Sequence, residues 1–279
     1  MSSGQKVIKY IAIAFAIFLI VNIVSGILFG IRIFFGVFTE ISFEGQAASQ
    51  ERGEIEEITQ LDFIDKIEIK AGISKLTIEE GEKFTVSIKK GDTAVNVKTE
   101  NHTLRIESKG VTKWFGTTPS EITIRIPKQK EFEKVEIETG VGEAKIESLS
   151  TKTLTMKIGV GKVSLSKVQA SEKAKIEGGV GVTTIQQAKL NNLQLNGGVG
   201  EFELSAELTG QAEIEGGVGN LKVTLLGKKE DYQVKSKTGL GTIRFNGQKQ
   251  EDRAKIGQGD RLIMVTGGIG NITIQTMDF

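Results

Sequence analysis

The chain has 279 residues but no cysteine, one histidine and two prolines. Without cysteine there can be no disulfide, no thiolate nucleophile and no thiolate-held metal. That absence also suits an exported protein that is stable without crosslinks. A single histidine, His102, makes no His-based triad or zinc site. A charge excess of one sign is missing too, since 36 Lys and Arg face 35 Asp and Glu. A nucleic-acid binder should carry a basic face, so none is expected. Aromatic residues are 6% of the chain, which is poor material for a sugar-stacking groove. Glycine, in contrast, is plentiful at 34 residues, and its placement carries the reading.

One long apolar run stands near the start. Tyr10 to Ile31, "YIAIAFAIFLIVNIVSGILFGI", holds 22 residues without a charge, enough to cross roughly 30 Å of hydrocarbon. It is too long for a signal-peptide core, and "IFFGVF" after Arg32 is no small-residue cleavage site. The run reads as a retained transmembrane helix over 10–31. Lys6 and Lys9 precede it, and Glu40, Glu44, Glu51, Glu54, Glu56 and Glu57 follow. The basic side stays in the cytoplasm. Residues 1–9 are therefore expected inside, 32–60 as a juxtamembrane linker, and the rest outside the cell membrane. The partner this implies is the membrane itself.

Beyond the linker, "ETGVGEAKI" recurs as "KIGVGKVSL", "EGGVGVTTI", "NGGVGEFEL", "EGGVGNLKV", "KTGLGTIRF" and "TGGIGNITI". The glycine pairs are Gly140 and Gly142, Gly159 and Gly161, Gly179 and Gly181, Gly198 and Gly200, Gly217 and Gly219, Gly239 and Gly241, and Gly268 and Gly270. The first glycines are separated by 19, 20, 19, 19, 22 and 29 residues. A fixed period near 19 is the mark of stacked units that bury their apolar faces only against neighbours. An imperfect copy, Gly72-Ile73-Ser74, lies upstream in "IEIKAGISKLTI".

Within each copy apolar residues alternate on both sides of the glycines. Val135, Ile137, Val141, Ala144 and Ile146 recur one unit on as Leu154, Met156, Val160, Val163 and Leu165. A period of two puts one face in and one out. No helical period is present in this region. The fold class expected is all-β: a β-solenoid of two short strands per rung, joined at a structural corner that the glycines permit. The residue between the glycines is expected to point inward. A phosphate loop would occur once, between strand and helix. Calcium-binding glycine repeats have a period near nine and a following Asp. No cofactor or metal is expected.

The outward residues form two columns, Glu138, Lys157, Glu177, Asn196, Glu215, Lys237 and Glu136, Thr155, Lys175, Gln194, Glu213, Lys235. Their signs alternate, which favours register over a single-sign binding stripe. Residues 61–135 are β-rich but irregular, with a turn at Thr99–His102, and are expected to cover the solenoid's first edge. The regular solenoid is expected over 136–279, with Met277 and Phe279 folded over its last rung. Two irregular segments stand out. "KGVTKWFGTTPS" carries Trp114 and Phe115, either a partner contact or a cap. Residues 247–261 form an insertion, either a solvated loop or a binding loop.

The strands "IEIKAGISKLTI" and "EITIRIP", with the Gly-x-Gly rungs after them, resemble the putative-adhesin family of bacterial β-strand-repeat domains. The resemblance covers roughly residues 60–279. With its anchor, the chain is similar to membrane-anchored proteins of Gram-positive envelope-stress operons, the Lia type. That resemblance implies a β-helical surface module without established enzyme activity, and the partner expected is an envelope protein or a cell-wall or surface ligand. Many members carry Ser-Gly-Asp at the corner where this chain has Gly-Val-Gly, so no ligand contacts are carried over. Two alternatives stand beside it: a bactofilin-like polymer-forming scaffold, and a polysaccharide-acting β-helix enzyme, which would need clustered carboxylates.

Overall fold

The computed structural model describes residues 55–58, 61, 63–108 and 118–278. The transmembrane expectation at 10–31, the segments 1–9 and 32–54, Trp114, Phe115 and Phe279 lie outside these residues. Among the described residues the only helix is a 3-10 turn at Lys229–Asp231, and none is long and apolar enough to cross a membrane.

The alternating pattern produces parallel strands stacked in register. One inner column runs Ile106, Ile69, Ile137, Met156, Ile176, Leu195, Ile214 and Val265, each aligned with the next. Its members are at most 3% exposed. Across the interior a second column runs Leu76, Ala144, Val163, Thr183, Phe202, Leu221 and Ile272, all buried. The columns face each other and form one continuous core. Identical side-chain parity in every rung is what lets parallel neighbours share one apolar face.

Three expectations about this stack need correction. The middle rungs have a third short segment, not two strands alone. Residues 149–151 pair with 168–170, which pair with 189–190, and 188–191 pair with 206–209. Register shifts between Ala170 and Lys173, and between Ile185 and Ala188, mark where the chain bends into it. Its inward residues Ala170, Leu190 and Leu208 are buried. Three or four residues are too few to show a period of their own.

The order of rungs in space also departs from their order in the chain, at both ends. Lys66–Gly81 lies between the strands Thr103–Ser108 and Ser120–Pro127 on one side and Glu131–Ile146 on the other. At the far end Arg261–Thr266 pairs with Gln211–Glu215 and with Tyr232–Lys237, while Ile269–Met277 pairs with Val218–Leu226 and Leu240–Phe245. The last rung of the chain is thus internal. Met277 ends a strand within the stack, half exposed, instead of lying over a terminal rung. The 29-residue interval before Gly268 is the chain needed to travel outward and return.

Antiparallel strands cover the two outermost rungs. At the first end Val95–Glu100 pairs with Thr103–Ser108 through the turn at Asn101 and His102, and Thr85–Lys89 pairs with Ser120–Pro127 and with Ile55–Ile58. At the other, Gln248–Lys249 and Lys255–Ile256 close over Phe245 and Val234. Short, charged edge pieces of this kind block edge-to-edge pairing with other chains.

The third correction concerns the corner. Val141, Val160, Val199 and Val218 are 38–41% exposed, Ile269 is 51% exposed and Leu240 77%. They point outward. Inward residues fall at 137 and then at 144, an odd interval, so the alternation must change phase once within the corner. It does so before the valine rather than after it.

Candidate functional site

The corner glycines leave no room for a ligand behind them. The backbone N–H of Val180 donates to Gly159 O at 2.8 Å, that of Val199 to Gly179 O at 2.7 Å and that of Val218 to Gly198 O at 2.8 Å. Successive corners therefore stack backbone on backbone. A Cβ at Gly217 would collide with the carbonyl oxygen of Gly198, and one at Gly161, where φ is +141°, with that of Gly142. The hollow beside Gly198, Gly217 and Gly268 measures about 10 Å³, at the threshold for one water. The glycines let neighbouring corners close on one another.

What the corner does present is a ridge. Ile73, Val141, Val160, Val180, Val199, Val218, Ile269 and Leu240 stand in register on eight consecutive rungs. At about 4.8 Å per rung the line is roughly 34 Å long. Glycines flank each apolar residue except Ile73, which Ser74 follows, so most of the branched side chains stand clear, while Ile73 and Val180 are partly covered. This column was visible in the sequence, but its outward direction was not.

The ridge is bordered by the last outward residue before the corner and the first after it. On four neighbouring rungs these are Lys70 and Lys75, Glu138 and Glu143, Lys157 and Lys162, then Glu177 and Val182. On these four rungs no two borders oppose each other in sign and the sign alternates from rung to rung; the next two rungs, Asn196 with Glu201 and Glu215 with Asn220, are negative or neutral. Glu177 also accepts from Lys175 at 2.7 Å, and that hydrogen bond holds its carboxyl below the ordinary carboxylate range. A recess of about 330 Å³ beside the ridge is lined by Lys75, Leu76, Glu143, Ala144, Lys145, Lys162 and Ser164.

The segment containing Trp114 and Phe115 leaves the described chain after Ser108, whose neighbour in register is Ala71, and Ser120 is in register with Ser74. Its two attachments therefore flank the corner at Ile73, at one end of the ridge. The return is pinned: Ser120 Oγ donates to Thr93 O at 2.7 Å, and Thr118 N donates to Asp92 Oδ2 at 2.7 Å. Residues 247–261 are largely committed to the far edge. There Asp252 Oδ1 accepts from the backbone N–H and hydroxyl of Thr238 at 3.0 and 3.1 Å, and these bonds hold its carboxyl below the ordinary range.

His102 sits in a turn, its carbonyl accepting from Asp65 N at 2.9 Å and Lys66 N at 3.1 Å. Among the described residues no three His, Cys, Asp or Glu side chains are grouped to hold a metal. Arg261 Nη2 donates to Glu207 at 3.3 Å, and its guanidinium lies 5.6 Å over the ring of Tyr232. Tyr232 is 1% exposed, donates to Leu226 O at 2.7 Å, and its phenol is pushed up by burial. That cluster fastens the inserted last rung to its neighbours.

Several solved bacterial structures are similar over most of this chain. A putative adhesin from Bacteroides fragilis shares 17% identity, covering 81% of this chain and 98% of its own, with a TM-score of 0.43. A putative cell adhesion protein from Clostridium sporogenes shares 15%, covering 81% and 100%, with a TM-score of 0.38. A putative lipid binding protein from Parabacteroides distasonis shares 16%, covering 80% and 96%, with a TM-score of 0.39. No curated protein matches in sequence. The Toastrack DUF4097 family profile, however, spans residues 64–265, from the first inner rung to the inserted last one, and the chain belongs to that family.

Proposed function

We propose that this protein is a non-catalytic, adhesin-like binding module of the bacterial cell envelope. In this reading residues 10–31 hold it in the cell membrane with the N-terminus in the cytoplasm. The solenoid stands outside, where it makes binding or regulatory contacts in the envelope-stress response of a Gram-positive cell. The observation that carries the reading is the apolar ridge, left open along a body whose other outward columns are mixed charges and amides. Exposed apolar surface of this continuity marks contact surfaces. Trp114 and Phe115, in the segment between Ser108 and Ser120, are the proposed aromatic anchors, since such residues dominate contact energetics. The partner is an envelope protein or a cell-wall ligand, and no cofactor takes part.

The absence of cysteine makes the test direct. Full-length single variants Glu213→Cys and Val218→Cys are expressed in cells whose wall is then removed. A membrane-impermeant maleimide should label Glu213→Cys at once, and labelling only after lysis would overturn the outside location. Val218→Cys should label slower in cells than in the purified chain; equal rates would remove the ridge as a contact surface. Trp114→Ala with Phe115→Ala should reduce that protection and leave the melting temperature unchanged. A lowered melting temperature would make the pair a cap.

A further inference from the structure

The borders of the ridge point to what covers part of it. Read along the stack, the four rungs through Ile73, Val141, Val160 and Val180 carry borders of sign plus, minus, plus and minus. The plus rungs are Lys70 with Lys75 and Lys157 with Lys162. The minus rungs are Glu138 with Glu143 and Glu177 beside the neutral Val182. Reversed, the series becomes minus, plus, minus, plus. A copy of the same ridge laid antiparallel therefore meets the opposite sign on all four rungs, and one laid parallel in register meets the same sign on all four. Neither border of a charged rung opposes the other in sign, so the match does not depend on which border meets which.

We propose that two copies of the chain pair antiparallel along the Gly-x-Gly corner, with the two-fold axis between Val141 and Val160. Val141 of each copy then packs on Val160 of the other, and Ile73 on Val180. A two-fold contact of this kind uses one patch twice and closes on itself. Other occupants fit the borders less well. An anionic lipid surface would favour an uninterrupted basic border, and Glu138, Glu143 and Glu177 interrupt it. A sugar polymer has no charge bands at this spacing, whereas a second solenoid has them by construction.

The contact is short. Four rungs span about 14 Å, so the buried area falls at the low end for specific interfaces and the pair is weak in dilute solution. Anchoring both copies in one membrane or micelle raises their effective concentration without any new contact. The pairing rests on the reading of the corner as a contact surface, and it does not depend on which side of the membrane the domain occupies.

The test uses the full-length chain in detergent micelles, with single cysteines at Ile73, Val141, Val160, Val180, Val218 and Leu240, oxidised and read as disulfide dimer. In the proposed register the two copies of residue 141, or of residue 160, are offset by one rung along the stack, about 4.8 Å, and face each other across the contact. They are the self-pairs nearest to disulfide distance anywhere on the ridge. Residues 73 and 180 are three rungs from their own copies, about 14 Å, and 218 seven rungs, about 34 Å. Dimer yield should peak at Val141→Cys and Val160→Cys, at least fivefold above Val218→Cys and Leu240→Cys. Uniform yield along the ridge, a peak elsewhere, or no dimer would each overturn the pairing.

A charge exchange checks the cause. Lys157→Glu with Lys162→Glu, in the Val141→Cys chain, should abolish the dimer. Glu138→Lys with Glu143→Lys in the same background should also abolish it. Mixing the two chains should restore a mixed dimer, because each altered rung again meets its opposite. Melting temperatures of both variants show whether each remains folded, and failure of the mixture to recover with both folded would overturn the proposal. A domain labelled only after lysis, with the cross-link pattern intact, would overturn the location alone. Normal labelling with no peak would overturn the pairing alone.

Discussion

Two columns of stacked aliphatic residues run the length of this solenoid under the same period and in opposite surroundings. Ile137, Met156, Ile176, Leu195 and Ile214 are at most 3% exposed, while Val141, Val160, Val199 and Val218, four positions further on, are 38–41% exposed. Both columns repeat every rung, and both are aliphatic throughout. The difference lies in the chain path between them. Strand alternation fixes the first column's side, whereas the glycine corner shifts the alternation by one residue and turns the second outward. Repetition of an apolar residue shows that it stacks on its copies; it does not show which way it faces.

The sharpest way to break the comparison is to place the same charge in each column. Ile214→Asp puts an unpaired carboxylate in the core and should unfold the domain or cost at least about 3 kcal/mol, read as loss of the cooperative thermal transition. A wild-type transition in that variant would contradict the inner assignment. The corner backbone comes next. Gly198→Val forces a branched residue to φ +67°, with its Cβ against the carbonyl of Gly179, and should cost about 1–3 kcal/mol by chemical denaturation.

A smaller effect tests how the ends differ from the middle. Tyr232→Phe removes the hydroxyl that donates to Leu226 O and should cost about 1 kcal/mol near neutral pH. Burial raises the Tyr232 pKa in the folded state. Its contribution is therefore complete below the unfolded phenol value of about 10 and is lost as pH rises through the higher folded value. The gap between wild type and Tyr232→Phe should narrow in denaturation series taken above pH ~10; a gap that widens would contradict the burial. Smallest of all is Val199→Asp, expected within about 0.5 kcal/mol of wild type because the side chain faces water. A loss comparable to that of Ile214→Asp would return the corner column to the interior.

The middle of the stack was far more legible than its ends. From residues 131 to 226 each rung lies beside its neighbour in sequence, so the spacing of Gly140, Gly159, Gly179, Gly198 and Gly217 is also the order in space. At the ends the same pattern misleads. Leu240 follows Val218 in the repeat, yet Ile269 sits between them. The clue was the longer interval before Gly268, which marks extra chain without saying where it goes. The candidate site divides in the same way. Its residues and their spacing could be read, its exposure could not, and the strands beside its first corner, Thr103–Ser108 and Ser120–Pro127, reach Lys66–Gly81 from far along the chain.

The sequence by itself determined an all-β chain, a rung of about nineteen residues, glycine at each corner and the identity of the inner columns. These follow from local rules: parity along a strand, and backbone angles and close approaches that a Cβ forbids. The tertiary structure alone decided that the first and last rungs lie inside the stack, that a third short segment closes the middle rungs, and that the corner column faces water. Every rung offers its neighbours the same hydrogen-bonding edge and a similar apolar face, so local pattern permits more than one order. Which order forms depends on the covering hairpins and on clusters such as Arg261, Tyr232 and Glu207, whose members meet only when distant segments are packed together.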